Sequence, residues 1–186
     1  MADLWLIRHG ETAWSLSGAH TGRTDIPLTP AGEEQAAGIR TKLGGRNFAL
    51  VLSSPLERAR RTCELAGFAG VMQLEPNLAE WAYGQYEGKT TAQIRVERPG
   101  WAPFKDDFPG GETLADVAVR AQAVIDRAVT AGGDVALFAH GHILRVLAAC
   151  WLGLPPQGAR YFTMSPAGVS TLGYERENRV ILRWNL

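Results

Sequence analysis

Two of the four histidines in the sequence follow apolar runs and precede a glycine. His9 stands in Arg8-His9-Gly10 after the run Leu4–Ile7, and His140 stands in Ala139-His140-Gly141 after Val135–Phe138. Near neutral pH a histidine acts as a base and as a nucleophile. The glycine lets the backbone turn sharply and lets a ligand approach closely. A single such histidine is as often structural as functional, but two at the ends of apolar runs predict a reactive site.

Two arginines predict that this site binds a phosphoryl group. Arg8 directly precedes His9, and Arg58 follows the apolar run that ends at Ser53-Ser54. A guanidinium stays charged and matches phosphate oxygens with two parallel hydrogen bonds. Helix N-termini add unpaired backbone N–H groups that also favour anions. Arg60 and Arg61 fit a solvated helix face, so we assign only Arg58 to the site.

Transfer of a phosphoryl group also needs a proton donor for the departing oxygen. The segment Leu78–Gly88 is rich in aromatic residues and glycine, and it contains Glu80 and Glu87. A carboxyl group among Trp and Tyr rings is partly desolvated, which favours its protonated form. The residues alone leave open whether Glu80 or Glu87 is the donor.

The elements that must position these groups alternate between short apolar runs and longer stretches with helical periodicity. Continuous apolar runs predict strands that are buried on both faces, as in a parallel sheet covered by helices. We expect strands at 4–7, 48–52 and 135–139, helices at 30–43, 54–65, 114–128 and 143–152, and a hairpin pairing 168–173 with 180–184. Thr29 is the predicted N-cap of the first helix, and Ser54–Glu57 fits a capping box.

This alternation predicts an α/β protein, a three-layer α/β/α sandwich with a mostly parallel central sheet in one domain, residues 1–186. In such sheets ligands bind beyond the carboxyl ends of the strands. Arg8-His9, Ser53-Ser54 and His140 all stand at such ends. The predicted fold therefore brings the candidate residues together.

Composition excludes several classes of protein. With 186 residues, 46% hydrophobic and 20% charged, the chain resembles an average globular protein. Lys plus Arg and Asp plus Glu each number 19, so net charge gives no reason to expect a nucleic acid or a membrane as partner. Cys63 and Cys150 are isolated, and we expect both in helices as small buried thiols. The apolar part of Met1–Arg8 is too short for a signal peptide or a membrane span, which predicts a cytoplasmic protein.

Four segments resemble the motifs of the histidine phosphatase superfamily, which includes the phosphoglycerate mutases. They are Leu6–Thr12, Ser53–Thr62, Leu78–Gly88 and Ala139–His142, and they occur in the family's order. Shorter segments, 14–18, 21–25, 80–84 and 138–142, resemble the branch of sedoheptulose-1,7-bisphosphatases and broad acid phosphatases. The resemblance implies a phosphoglycerate mutase-like fold.

The resemblance also implies a role for each matching residue. His9 corresponds to the histidine that takes the phosphoryl group, and Glu80 to the proton donor, which leaves Glu87 a structural role. Arg8, Arg58 and His140 correspond to the groups that bind the phosphoryl oxygens. Further residues predicted to contact the substrate are Ser15, Thr21, Gly22, Tyr83, Gly141 and His142.

We therefore expect a phosphatase that hydrolyses phosphomonoesters, sugar phosphates or sugar bisphosphates, through a phosphohistidine and without a metal or cofactor. His140-Gly141-His142 is a weak metal motif, because it has no Cys ligand or carboxylate cluster beside it. A binding module without catalysis would need neither His9 nor Glu80. The expected partner is a small-molecule phosphate ester, and a homodimer is the assembly considered.

The alternative activity is that of a phosphoglycerate mutase. Mutases of the family that need a cofactor carry a long insert with paired arginines after the third motif. Here the corresponding segment, Lys89–Gly111, is 23 residues long, and Arg95 and Arg98 are not adjacent. Thr91 stands where those mutases have a lysine. These differences favour the phosphatase.

Overall fold

Six strands form one mixed sheet in the computed structural model, which describes residues 2–186. The spatial order is β3-β2-β4-β1-β5-β6. The first four in this order run parallel, whereas β5 is antiparallel to β1 and forms a hairpin with β6. The strands are β1 Leu4–Arg8, β2 Leu50–Ser53, β3 Met72–Leu74, β4 Val135–Ala139, β5 Val169–Glu175 and β6 Asn178–Arg183. The prediction of a mostly parallel sheet is confirmed.

Helices cover both faces of this sheet. They are α1 Ala13–Ser17, α2 Pro30–Lys42, α3 Glu57–Cys63, α4 Thr91–Glu97, α5 Leu114–Val129 and α6 Gly141–Trp151. Leu4 and Leu6 of β1 share one buried cluster with α5 and α6. Trp5 and Ile7 of the same strand share another with side chains of α2 and α3. Because successive side chains of a strand point to opposite faces, this division confirms the three-layer architecture.

The predicted cap of α2 is confirmed. Thr29 is its N-cap, and the Thr29 hydroxyl accepts a hydrogen bond from Gly32 N at 3.0 Å. Pro30 occupies the first helical position, where its missing N–H costs nothing. This cap fixes the start of α2 beside the loop after β1. A side chain at Gly10 in that loop would place its Cβ 2.3 Å from Gly32 O.

The capping box predicted for Ser54–Glu57 is wrong. The N-cap of α3 is Leu56, which makes no side-chain cap. The first amide of the helix, Glu57 N, donates instead to Asp25 Oδ1 at 2.8 Å. The Ser54 hydroxyl, which the local pattern assigned to the helix cap, lies 2.7 Å from His140 Nε2 in the candidate site.

Other boundaries shift by a few residues. The helix expected at 54–65 is α-helical only to Cys63 and continues as one π-helical turn, Glu64–Phe68, in which Gly67 has φ of 92°. The strand expected at 48–52 is 50–53, and the helix expected at 143–152 begins at Gly141.

Cys63 in α3 is buried and Cys150 in α6 is half-buried, both unpaired. Within residues 2–186 we find no helix long and apolar enough to cross a membrane.

Candidate active site

A cavity of about 150 Å³ opens at the carboxyl ends of β1 and β4, where the sequence predicts the site. Seven of the predicted site residues line it, together with Gly18, Ala19 and His20, which were not predicted. The seven are Arg8, His9, Ser15, Thr21, Glu80, Tyr83 and His142. Arg58, Gly22, His140 and Gly141 lie outside the lining and contribute through contacts described below.

His9 presents one free ring nitrogen to this cavity. Its Nδ1 lies 2.6 Å from Gly10 O, and because a carbonyl can only accept, Nδ1 carries the proton. Burial lowers the pKa of His9 well below 6.5, and the charges of Arg8 and Arg58 lower it further. The ring is therefore neutral at pH 7, with an unprotonated Nε2. A neutral imidazole held in one tautomer is suited to nucleophilic attack.

Arg8 supplies the positive charge in the cavity. Its Nη1 donates to Met164 O at 2.5 Å, which anchors the guanidinium from β1. Its Nε is buried and has no hydrogen-bond partner among residues 2–186. Gly141, the first residue of α6, packs beside the same guanidinium. A cation fixed at the cavity wall is suited to binding an anion.

Arg58 is fully buried behind the cavity and is held by main-chain carbonyls. Nη2 donates to Thr21 O at 3.1 Å and to Gly22 O at 2.8 Å, and Nη1 donates to Thr24 O at 3.0 Å. Its Nε donates to His140 Nδ1 at 3.1 Å. Four of the five guanidinium N–H groups are thus used within the protein.

His140 is likewise fully occupied in this structure. Because Nδ1 accepts from Arg58, the proton is on Nε2, which donates to the Ser54 hydroxyl at 2.7 Å. Burial lowers the pKa of His140 well below 6.5. Its ring lies 5.2 Å from that of His9. A direct contact with a phosphoryl oxygen would require one of these two hydrogen bonds to be exchanged.

The predicted phosphate-contact loop at Thr21 and Gly22 is held between Arg58 and Glu87. Glu87 Oε1 accepts from Gly22 N at 2.8 Å and from Thr24 N at 3.1 Å. A side chain at Gly22 would place its Cβ 2.5 Å from both Glu87 Oε2 and Trp81 O. Only a glycine fits between these groups. Glu87 holds the backbone of this loop, in line with the structural role that the family resemblance implies.

Glu80 caps the N-terminus of α6. Its Oε1 accepts from Trp81 N and Ile143 N, and its Oε2 accepts from His142 N, all at 2.9 Å. Oε1 thus accepts two hydrogen bonds and Oε2 only one, which leaves a lone pair on Oε2 free to take a proton. Glu80 is 4% exposed and lines the cavity. The helix N-termini that the sequence offered to a ligand are thus occupied by carboxylates of the protein, Asp25 at α3 and Glu80 at α6.

A paired arginine and glutamate hold the backbone on both sides of Glu80. Arg120 of α5 makes two hydrogen bonds to the Glu112 carboxylate, at 2.8 and 3.0 Å, and donates to Asn77 O and Ala79 O. Glu112 accepts in turn from Ala82 N at 2.9 Å. Burial raises the pKa of Glu112, but the hydrogen bonds from Arg120 and Ala82 outweigh it and hold the pKa below 4.5.

The outer wall of the cavity consists of neutral aromatic side chains. The Tyr83 hydroxyl lies 2.5 Å from His142 Nδ1, and His20 Nε2 lies 3.2 Å from Thr91 Oγ1. Burial lowers the pKa of His20 to about 4 and that of His142 well below 6.5, whereas it raises the pKa of Tyr83. All three groups are therefore uncharged at pH 7.

His20 is the functional candidate that the sequence reasoning missed. The imidazole of His20 packs against the aromatic rings of Tyr83, Trp101 and Phe108. Trp101 and Phe108 belong to the segment after the third motif. Ser15 faces the cavity, but its hydroxyl forms a capping box with Thr12 at the start of α1. The only sequence signal for His20 was its position next to Thr21 in the phosphate-contact loop.

No group of three or more His, Cys, Asp or Glu side chains within residues 2–186 is placed to hold a metal ion. Arg95 and Arg98, the cations of the segment after the third motif, donate to carbonyls of that same segment, Trp101 O and Asp107 O. Neither lines the cavity.

Comparison with known proteins gives concordant results. The model of the histidine phosphatase superfamily, branch 1, matches residues 4–186. An acid phosphatase of Mycobacterium tuberculosis is 39% identical over 176 residues, which cover 92% of this chain and 86% of that protein. A sedoheptulose 1,7-bisphosphatase of Saccharomyces cerevisiae is 35% identical over 187 residues, covering 82% of this chain and 68% of that protein.

A solved structure of an open reading frame product from Mycobacterium tuberculosis has a TM-score of 0.95 and 37% identity, covering 100% of this chain and 97% of that one. The family match extends over the whole sheet and every side chain of the candidate site. The chain therefore belongs to branch 1 of the histidine phosphatase superfamily and is a phosphoric monoester hydrolase.

Proposed function

We propose that this protein hydrolyses phosphate esters of sugars or similar alcohols in two steps, through a phosphohistidine on His9 and with no metal ion. One observation carries the proposal. His9, whose Nε2 is unprotonated, lines a cavity that the Arg8 cation and the Glu80 carboxyl group line as well. A nucleophile, an anion-binding cation and a proton carrier are the groups that phosphoryl transfer requires.

In the first step His9 Nε2 attacks phosphorus in line, the N–P bond forms and the P–O bond to the alcohol breaks. Glu80 Oε2 gives its proton to the departing alkoxide oxygen. Arg8 stabilises the charge on the equatorial oxygens from the cavity, and Arg58 and His140 do so once their present hydrogen bonds exchange. The backbone N–H groups on Glu80 keep its carboxyl in place for both steps.

In the second step water attacks the phosphohistidine and Glu80 accepts its proton. The N–P bond breaks, His9 returns to its neutral form, and inorganic phosphate leaves with the positions of all protons restored. The test is a rapid quench during turnover of p-nitrophenyl phosphate. We expect an acid-labile, base-stable phosphoryl label on His9, and no label and no turnover in His9→Ala. A label on another residue would contradict the proposal.

The alternative activity, that of a phosphoglycerate mutase, requires the enzyme to retain a carboxylated alcohol and return the phosphoryl group to it. Arg8 is the only Arg or Lys that lines the cavity within residues 2–186, and it is committed to the phosphoryl group. We expect steady release of phosphate in the presence of a chelator and negligible interconversion of 2- and 3-phosphoglycerate with bisphosphoglycerate present. An interconversion rate above the phosphatase rate would favour the mutase.

We also propose that residues 1–186 act as one domain, because both buried clusters pack against the same sheet. The natural partner would be a small-molecule phosphate ester. A cytoplasmic location and a homodimer stay predictions, which cell fractionation and light scattering with the purified protein test.

A further inference from the structure

The walls of the cavity beyond the reacting groups carry no charge. Apart from Arg8, His9 and Glu80, the lining consists of Ser15, Gly18, Ala19, His20, Thr21, Tyr83 and His142. Burial keeps the imidazoles of His20 and His142 and the phenol of Tyr83 neutral at pH 7, as described above. The alcohol part of a substrate bound against this wall therefore contacts hydroxyl groups, imidazoles and aromatic ring edges, but no charged side chain.

Besides Arg58, which is assigned to the phosphoryl group, the charges of Arg23 and Arg145 reach the histidines of the site, and both arginines are engaged by other groups. Arg23 pairs with Glu112 at 3.2 Å. The guanidinium of Arg145 packs on the Phe104 ring at 4.5 Å, and its Nε donates to Ala159 O. A carboxylate or a second phosphate on the alcohol would thus lose its hydration on entering the cavity without gaining a cation in return, which is unfavourable.

The same wall offers neutral hydrogen-bonding atoms. The Tyr83 hydroxyl shares a hydrogen bond with His142 Nδ1, and the other ring nitrogen of His142, Nε2, has no partner among the described residues. His20 Nε2 bonds to the Thr91 hydroxyl, and its Nδ1 has no partner among residues 2–186. These two ring nitrogens can donate to or accept from alcohol hydroxyls. The imidazoles of His20 and His142 are neighbours in this wall, with ring centres 6.0 Å apart.

The cavity is also small. Its volume of about 150 Å³ is below the roughly 300–1,000 Å³ of pockets that enclose drug-sized ligands. It has room for a phosphoryl group and a short alcohol, and a longer substrate would extend into solvent.

We propose that the preferred substrates are monophosphate esters of small uncharged polyols, and that an anionic group on the part of the alcohol inside the cavity lowers kcat/KM. This inference rests on the proposed function and narrows it. It separates phosphate esters of short neutral polyols, which the wall accommodates, from short phosphorylated hydroxy acids, for whose carboxylate the wall has no cation.

The experiment compares two esters of equal carbon length, glycerol 3-phosphate and 3-phosphoglycerate, with p-nitrophenyl phosphate as reference. We expect kcat/KM to be at least about tenfold higher for the uncharged alcohol, a difference of about 1.4 kcal/mol. For a longer pair, fructose 6-phosphate and fructose 1,6-bisphosphate, the difference should be smaller, because the second phosphate of the longer alcohol extends into solvent and keeps its hydration. Equal or faster hydrolysis of 3-phosphoglycerate relative to glycerol 3-phosphate would overturn the inference.

A charge introduced at the wall gives an independent check. Ala19 lines the cavity, is half-buried and contributes no side-chain hydrogen bond. In Ala19→Lys we expect the preference for glycerol 3-phosphate over 3-phosphoglycerate to fall several-fold, whereas in Ala19→Gln, the neutral control of similar length, the ratio should stay near that of the wild type. An unchanged ratio in Ala19→Lys would count against the inference. If no variant and no wild-type protein released phosphate from any ester, including p-nitrophenyl phosphate, the proposed function itself would be wrong.

Discussion

All four histidines of the chain are held neutral in the fold, and this predicts a steep loss of stability in weak acid. Burial is the largest cause that lowers the pKa of each, to about 4 for His20 and well below 6.5 for His9, His140 and His142. In the unfolded chain the same groups take up protons at about pH 6.5. Below that pH the unfolded state binds more protons than the folded state, so the free energy of unfolding falls as pH falls.

The magnitude follows from the linkage relation. Between pH 8 and pH 5.5, a histidine that titrates at 6.5 when unfolded and stays neutral when folded destabilises the protein by about 1.4 kcal/mol. This value hardly depends on the folded pKa once that lies near 4 or below. Four such groups add up to roughly 5–6 kcal/mol, a large part of the total stability of about 5–15 kcal/mol typical of a domain.

The assay is urea unfolding at pH 8, 7, 6 and 5.5, followed by the fluorescence of the six tryptophans. We expect the free energy of unfolding to fall by the full amount in the wild type and by about one quarter less in His20→Gln, whatever the absolute stability of that variant. A free energy that stays constant over this pH range would refute the reasoning, because the folded and unfolded states would then bind equal numbers of protons and the histidines would not be held neutral in the fold.

Three further predictions concern the site. Glu80→Gln should lose far more kcat on alkyl phosphates than on p-nitrophenyl phosphate, whose leaving group needs little protonation; equal losses would exclude Glu80 as the acid. Arg120→Met should lower the free energy of unfolding by about 2–4 kcal/mol, because it removes the two charged hydrogen bonds that Arg120 donates to Glu112. It should also repeat the leaving-group pattern of Glu80→Gln, with Arg120→Lys intermediate. Stability and leaving-group dependence like those of the wild type would show that the pair does not position Glu80. Ser54→Ala should lower kcat for all esters alike, because His140 loses the hydroxyl that orients its ring, with Ser54→Thr closer to the wild type; loss confined to KM would contradict a role through His140.

The fold could be predicted from the sequence where burial alone decides the pattern. β4 is apolar throughout and fully buried, and its predicted bounds, 135–139, are those of the structure. The N-cap of α2 was also predicted, because Thr29 and Pro30 act through local contacts only. Placement of Arg8, His9 and Glu80 around one cavity followed from the strand ends and the family motifs.

Interactions between distant segments could not be predicted in this way. Ser54 is 86 residues away from His140, so its capping pattern could not reveal that the hydroxyl bonds to that ring instead. His20 was overlooked because its environment comes from Tyr83, Trp101 and Phe108, which no periodicity in the sequence links to it. In both cases a polar side chain has a long-range partner that local propensity does not include.

The charged side chains of the site form most of their hydrogen bonds with main-chain groups and few with one another. Arg58 is surrounded by the carbonyls of Thr21, Gly22 and Thr24, whereas Glu80 and Glu87 accept backbone N–H bonds. A direct Arg58–Glu80 ion pair would neutralise both groups and would have to be broken for each substrate. Main-chain dipoles fix each charge in place and leave it available, so that the site is preorganised before the phosphoryl group arrives. For the same reason, a substitution that shifts the loop at Gly22 should impair the site as severely as the loss of a charged side chain, because the loop carries three of the acceptors that hold Arg58.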